Sequence, residues 1–196
     1  MNIPQGPDEI LNRLTAAGFQ AYAVGGCVRD SLLGTVPGDW DICTSALPEE
    51  TEACFSDLRV VETGLKHGTV TVIFQGVPYE ITTFRSDGNY LDHRRPQQVN
   101  FVRTLKEDLL RRDFTINAMA VGLDEEIQDP FGGRRDLTDG IIRCVGDPDT
   151  RFTEDALRIL RGLRFASRLG FSIAPETAAA MERNKNLLSY VSGERI

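Results

Sequence analysis

Two aspartates separated by one residue, Asp39-Trp40-Asp41, follow a glycine pair in the run Gly25-Gly26-Cys27-Val28-Arg29-Asp30. Residue types and spacing together suggest a chemistry. On an extended segment residues i and i+2 share a face, so Asp39 and Asp41 aim two carboxylates at one spot. Left unneutralised, they repel each other. A divalent cation relieves that repulsion, and Mg²⁺ takes a few carboxylates together with substrate phosphates. A glycine pair between a strand and a helix lets a ligand approach the backbone, and the amides at a helix start suit a phosphate. Arg29, one turn in, can reach a triphosphate oxygen. These are the parts needed for two-metal phosphoryl or nucleotidyl transfer. Asp-x-Asp alone is more often a solvated turn. The glycine-arginine start just upstream reverses that balance.

A second group lies in Thr153-Glu154-Asp155-Ala156-Leu157-Arg158-Ile159-Leu160-Arg161-Gly162-Leu163-Arg164-Phe165. Asp155, Arg158, Arg161 and Arg164 recur every three residues, which predicts a stripe along one helix. A bland account is a surface i, i+3 ion pair, worth about 0.2–0.5 kcal/mol. A sharper one is base selection. A carboxylate beside a guanidinium offers an acceptor next to donors. Cytosine and adenine present an amino donor beside a ring-nitrogen acceptor, whereas uracil and guanine present the reverse. An Asp155–Arg158 pair therefore accepts CTP and ATP and leaves a polar group unpaired with UTP or GTP. The third group, Arg111-Arg112-Asp113-Phe114-Thr115-Ile116-Asn117-Ala118, has two arginines ahead of an apolar segment, which can place one guanidinium on a phosphate. It reads equally as a basic helix end.

The elements that must position these groups follow from periodicity and punctuation. Residues 7–17 read as a helix stopped by Gly18, 21–24 as a strand, 27–33 as a helix and 39–43 as a strand. A short acidic helix is expected over 48–57. Residues 69–74 and 79–84 are β-rich and joined by a hairpin at 75–78. The polar stretch 86–98 reads as a mobile loop. Residues 105–121 read as mostly helical, 129–133 as a turn and 141–145 as a strand. A helix capped by Thr153 runs to Gly170, and another covers 175–184. Helices and strands mix up to about Gly146 and helices follow. That pattern predicts an α/β head over residues 1–149 and an all-helical neck over 150–196.

Composition narrows the class. The 196 residues are 41% hydrophobic and 26% charged, as in ordinary soluble proteins, and suffice for one α/β domain with a helical appendage. No apolar run is long enough to span a bilayer, and the first ten residues do not read as a targeting peptide. Cys27, Cys43, Cys54 and Cys144 lack metal or redox spacing, which predicts reduced thiols and a cytoplasmic location. His67 and His93, the only histidines, lie far apart in sequence and argue against a histidine metal site or a Ser-His-Asp triad. The net charge of −7 argues against nucleic-acid binding, but the arginines are clustered and a site is local.

In order along the chain, these motifs resemble class II tRNA nucleotidyltransferases, the CCA-adding enzymes, and the related bacterial poly(A) polymerases. Residues 25–34, 39–41, 111–120, 129–137 and 154–171 carry the resemblance, with support from 82–85, 92–96 and 99–102. It implies a polymerase-beta-like head with a mixed sheet, an α/β (α+β) fold, followed by a helical neck. It also implies that Asp39 and Asp41 bind two Mg²⁺ ions and are catalytic. Nucleotide contacts then fall on Gly26, Arg29, Arg112, Asp155, Arg158, Arg161 and Arg164. The partners implied are the tRNA 3′ end, CTP and ATP. The sequence points to no membrane and no protein partner.

The loop over 86–98 matches a family element linked to adding the terminal A. Glu80 is a candidate third carboxylate, though it reads as readily as a surface strand residue. The alternatives are a poly(A) polymerase, a CC-only or A-only enzyme, a nucleotidyltransferase with a small-molecule or protein acceptor, and a non-catalytic nucleotide- or RNA-binding module. The last is disfavoured by the complete Asp-x-Asp. Full-length members continue into body and tail domains, so this chain is expected to be a catalytic core.

Overall fold

A computed structural model of the chain describes residues 1–88 and 99–191. The chain folds around a mixed seven-stranded sheet with strand order β3-β4-β5-β2-β1-β8-β9. Helix α1 (Gln5–Ala16) leads into β1 (Ala21–Val24), α2 (Gly26–Leu32), β2 (Ile42–Thr44), α3 (Pro48–Cys54) and β3 (Arg59–Gly64). The hairpin β4 (Thr69–Phe74) and β5 (Val77–Thr83) follows. Its turn is tighter than the sequence suggests: Phe74 pairs with Val77, so only Gln75 and Gly76 turn. Both have positive φ, 50° and 82°, as a two-residue hairpin of the right twist requires. The α1 face of Ile10, Leu11 and Leu14 is fully buried against Phe55, just after α3, and against Val72 and Ile81 from β4 and β5.

Strands β6 (Arg85–Asp87) and β7 (Val99–Phe101) pair antiparallel at the base of the expected 86–98 loop. Residues 89–98 of that loop lie outside the described residues. Helix α4 (Leu105–Leu110), β8 (Ala120–Val121), β9 (Ile127–Gln128), α5 (Gly133–Asp139) and β10 (Ile141–Ile142) follow. The helix expected over 105–121 therefore stops at Leu110. Beyond it, Thr115 N–H donates to the Arg143 carbonyl, Val145 N–H donates to the Asp113 carbonyl, and Phe114 bridges to Cys144. These long-range backbone bonds override helix propensity and carry the chain into β8, which pairs with β1.

Residues after Gly146 form α6 (Pro148–Glu154), α7 (Leu157–Leu169), β11 (Ser172–Ile173) and α8 (Pro175–Asn184). Two features differ from expectation. The stretch 150–196 also holds a short strand, β11, which pairs parallel with β10. The helix expected from Thr153 to Gly170 is two helices. Asp147 caps the first by accepting Thr150 N–H at 2.9 Å, and the chain breaks at Asp155 (φ −137°, ψ 105°). The Asp155 carboxylate then accepts Leu157 N–H at 3.0 Å and starts α7, which Gly170 closes in the left-handed region.

One hydrophobic cluster joins the sheet side of the molecule to the helices after Gly146: Val28, Phe114 and Met119 pack with Phe152, Ile159 and Met181. Gly162 permits the contact, since a Cβ there would lie 2.9 Å from Phe114 and closer still to Met181.

Candidate active site

A cleft of about 430 Å³ opens where α2, the start of β2, the segment after α4 and the α6–α7 junction meet. Gly26, Arg29, Asp39, Asp41, Arg112, Asp155, Arg158 and Arg161 all line it. Arg164 does not; its side chain is exposed. Helical geometry explains the difference. Each step of three residues falls about 60° short of a full rotation at 3.6 residues per turn. By the third arginine the stripe has turned away from the cleft. Asp155 is not on the stripe at all, because it sits in the break between the two helices.

Gly25 caps α2 with φ 82° and ψ −124°, and its N–H donates to the Met119 carbonyl at 3.1 Å. A Cβ on residue 25 would stand 3.1 Å from Nη1 of Arg112. Glycine at this turn thus lets a guanidinium lie directly against the backbone. Arg29 is buried, and its Nη1 donates to Oδ1 of Asn117 at 2.6 Å and its Nε to Oδ1 of Asp30 at 2.8 Å.

The two carboxylates precede β2 rather than lying in it, and Val24 N–H donates to the Asp41 carbonyl at 3.0 Å. Trp40 between them is only 9% exposed and packs into the core. Alternation then turns Asp39 and Asp41 the other way, into the cleft. The parallel register Ile42–Ile81 continues to bring Asp41 beside Glu80 on β5. The Asp41 carboxyl is held above the ordinary carboxylate range, first by withdrawal from solvent, then by the charges of Asp39 and Glu80, with Arg112 opposing. Crowded, hard oxygen donors of this kind fit a divalent cation. Among the described residues no three His, Cys, Asp or Glu side chains gather into a cage.

Several residues that sequence reasoning overlooked hold the arginines in place. Asp108 is fully buried and accepts Arg111 Nη2 at 2.9 Å, Arg112 Nη2 at 3.2 Å and Arg85 N–H at 3.2 Å. The only trace in the sequence is an acid three and four residues before an arginine pair. Glu154 accepts Arg158 Nη1 at 2.6 Å, while the Arg111 and Arg151 carbonyls take the rest of that guanidinium at 2.9 and 3.1 Å. Asp113 accepts Arg161 Nε at 2.7 Å.

Burial works against the Asp108 charge, yet the guanidiniums of Arg111 and Arg112 hold its carboxyl below the ordinary range. A carboxyl depressed in the folded state contributes stability above its unfolded pKa, near 4, and loses it as pH falls through the folded value. Asp108→Ala should therefore cost about 3–5 kcal/mol at pH 7. Thermal melts of parent and variant should differ most near neutrality and converge in acid; a constant gap from pH 7 to pH 2 would refute the assignment.

The profile of the poly A polymerase head domain matches residues 21–143. That match covers most of the chain and decides its kinship. The chain belongs to the poly A polymerase head-domain family. A second profile, "Probable RNA and SrmB-binding site of polymerase A", matches residues 170–196. The CCA-adding enzyme of Geobacillus thermodenitrificans is 53% identical over 187 residues, 95% of this chain and 46% of that protein. The crystal structure of the Bacillus stearothermophilus CCA-adding enzyme in complex with CTP superposes with TM-score 0.90 at 48% identity, over 100% of this chain and 47% of that one. The Thermotoga maritima CCA-adding enzyme complexed with tRNA-CCA gives TM-score 0.78 at 31% identity, over 96% and 43%. This head-domain chain thus spans about half the length of these relatives. Its nucleotidyltransferase head fold is theirs. No helix among the described residues is long and apolar enough to cross a membrane.

Proposed function

We propose that this chain is the catalytic part of a CCA-adding tRNA nucleotidyltransferase, with residues 1–149 as head and 150–196 as neck. It transfers C and A from CTP and ATP to the tRNA 3′ end. The observation that carries this reading is one cleft lined by the two carboxylates Asp39 and Asp41, by phosphate-type arginines, and by both Asp155 and Arg158, the residue types suited to a base edge. The 53% identity to a CCA-adding enzyme over 95% of this chain supports the choice of product.

Asp39 and Asp41 hold Mg²⁺, two ions in this reading, with Glu80 as the nearest third carboxylate. Bound there, the metal supplies charge neutralisation and a Lewis acid for the attacking hydroxyl and the leaving pyrophosphate. Arg29 and Arg112 neutralise the triphosphate, and the glycine turn lets it come close to the backbone. Glu154 and two carbonyls clamp Arg158, so its guanidinium meets the base edge from a fixed position. Preorganised donors of this kind need no rearrangement as the base arrives. Asp155 supplies acceptor oxygens beside it. Arg164, outside the cleft, has no part in nucleotide binding in this proposal.

The test is incorporation into a tRNA lacking its 3′ CCA, with Mg²⁺ and each labelled NTP in turn. Addition of C followed by a single A, without U or G, is expected. A long tail of A alone would instead make the chain a poly(A) polymerase.

A further inference from the structure

Among the arginines that line the cleft, Arg29 from the head and Arg161 from the neck are connected by a buried polar chain. Arg29 on α2 donates from Nη1 to Oδ1 of Asn117 at 2.6 Å. Asn117 Nδ2 donates to Oδ1 of Asp113 at 3.3 Å. Oδ2 of Asp113 accepts Arg161 Nε from α7 at 2.7 Å. Asn117 and Asp113 are 6% and 8% exposed, so water does not compete strongly for these bonds. An amide has one acceptor end and one donor end. Only the orientation with oxygen toward the cation and nitrogen toward the anion satisfies both neighbours. Above the chain, the Phe165 ring is approached by both guanidiniums, Arg29 at 5.2 Å and Arg161 at 5.4 Å from its centroid. Phe165 itself packs edge-on against Phe114.

We propose that Asn117 is a positioning residue that makes Arg29 and Arg161 act as one unit, so that nucleotide affinity is set jointly across the head–neck junction. The physical reason is the shared amide. Removing either guanidinium leaves one end of Asn117 or Asp113 unpaired in a buried place, and the group relaxes at the expense of the other arginine. Linkage runs both ways: whatever a bound nucleotide does to Arg29 it does, through Asn117, to Arg161. This rests on the reading that the cleft binds a nucleoside triphosphate.

A double-mutant cycle tests it, with CTP binding to the whole chain followed by calorimetry in Mg²⁺. Arg29→Ala and Arg161→Ala should each weaken CTP binding by about 10-fold or more. The double variant should fall short of the product of the two losses by at least about 5-fold. In an Asn117→Ala background that shortfall should vanish. A purely structural Asn117 would lower the melting temperature yet leave the shortfall intact, which overturns the proposal, as does simple multiplication with Asn117 present. Should Asn117→Ala not fold, Asn117→Ser replaces it, and the cycle with Asn117 intact still decides. If the unsubstituted chain binds neither CTP nor ATP, the nucleotide reading itself fails, and that result is distinct from a cycle that multiplies.

Discussion

An Asp41→Asn chain is expected to lose nucleotide incorporation by a factor on the order of 10³ or more and yet to melt at a higher temperature than its parent. The two halves have one origin. Asp39, Asp41 and Glu80 bring negative charge together at the edge of β2 and β5. That crowding is useful to a cation and unfavourable without one. The Asp41 carboxyl is raised above its ordinary range in the folded chain. A raised carboxyl contributes stability below its unfolded pKa and loses it as pH rises through the folded value. Near pH 7 the ionised group therefore works against folding, and asparagine removes that effect while keeping the shape.

Thermal melts without divalent cations check this directly. The variant's advantage should appear at pH 7 and shrink toward pH 4. Added Mg²⁺ should raise the parent more than the variant, because only a bound native state gains by mass action. Normal incorporation by the variant, or a lower melting temperature at pH 7, would remove Asp41 from the metal site.

Arg158→Ala should show the opposite combination, losing both selectivity and stability. Its guanidinium is buried and bonded to Glu154 and to the carbonyls of Arg111 and Arg151. Truncation leaves a carboxylate and two carbonyls without that partner, at a cost of about 3–5 kcal/mol. The preference for CTP over UTP should drop on the order of 10²-fold, because the fixed donor that tells the base edges apart is gone. Arg158→Lys separates the two roles. It keeps the charge beside Glu154 but lacks the planar fork, so it should recover more of the stability than of the selectivity. Competition between labelled CTP and UTP, with melts on the same samples, reads both. An Arg158→Ala chain that still rejects UTP would assign base selection elsewhere.

Much of the molecule was determined by local sequence. Apolar periodicity in α1, the glycine stop before β1 and the β-rich runs of the hairpin are short-range signals, and the elements formed where those signals lie. Asp39 and Asp41 could be paired from i, i+2 spacing alone, because the buried Trp40 between them forces the alternation. Other features depended on partners far along the chain. The helix expected through Arg112 was overridden by backbone bonds to Arg143 and Val145, more than 25 residues away. The break at Asp155 replaced a continuous arginine stripe, and helical drift took Arg164 out of the cleft. Asp108 lies outside the motifs, and Asp113, Asn117 and Glu154 lie within them without a residue type or spacing that assigns them a role. Their roles arise because tertiary packing excludes water around the arginines, and a buried guanidinium must find its acceptors wherever the fold brings them.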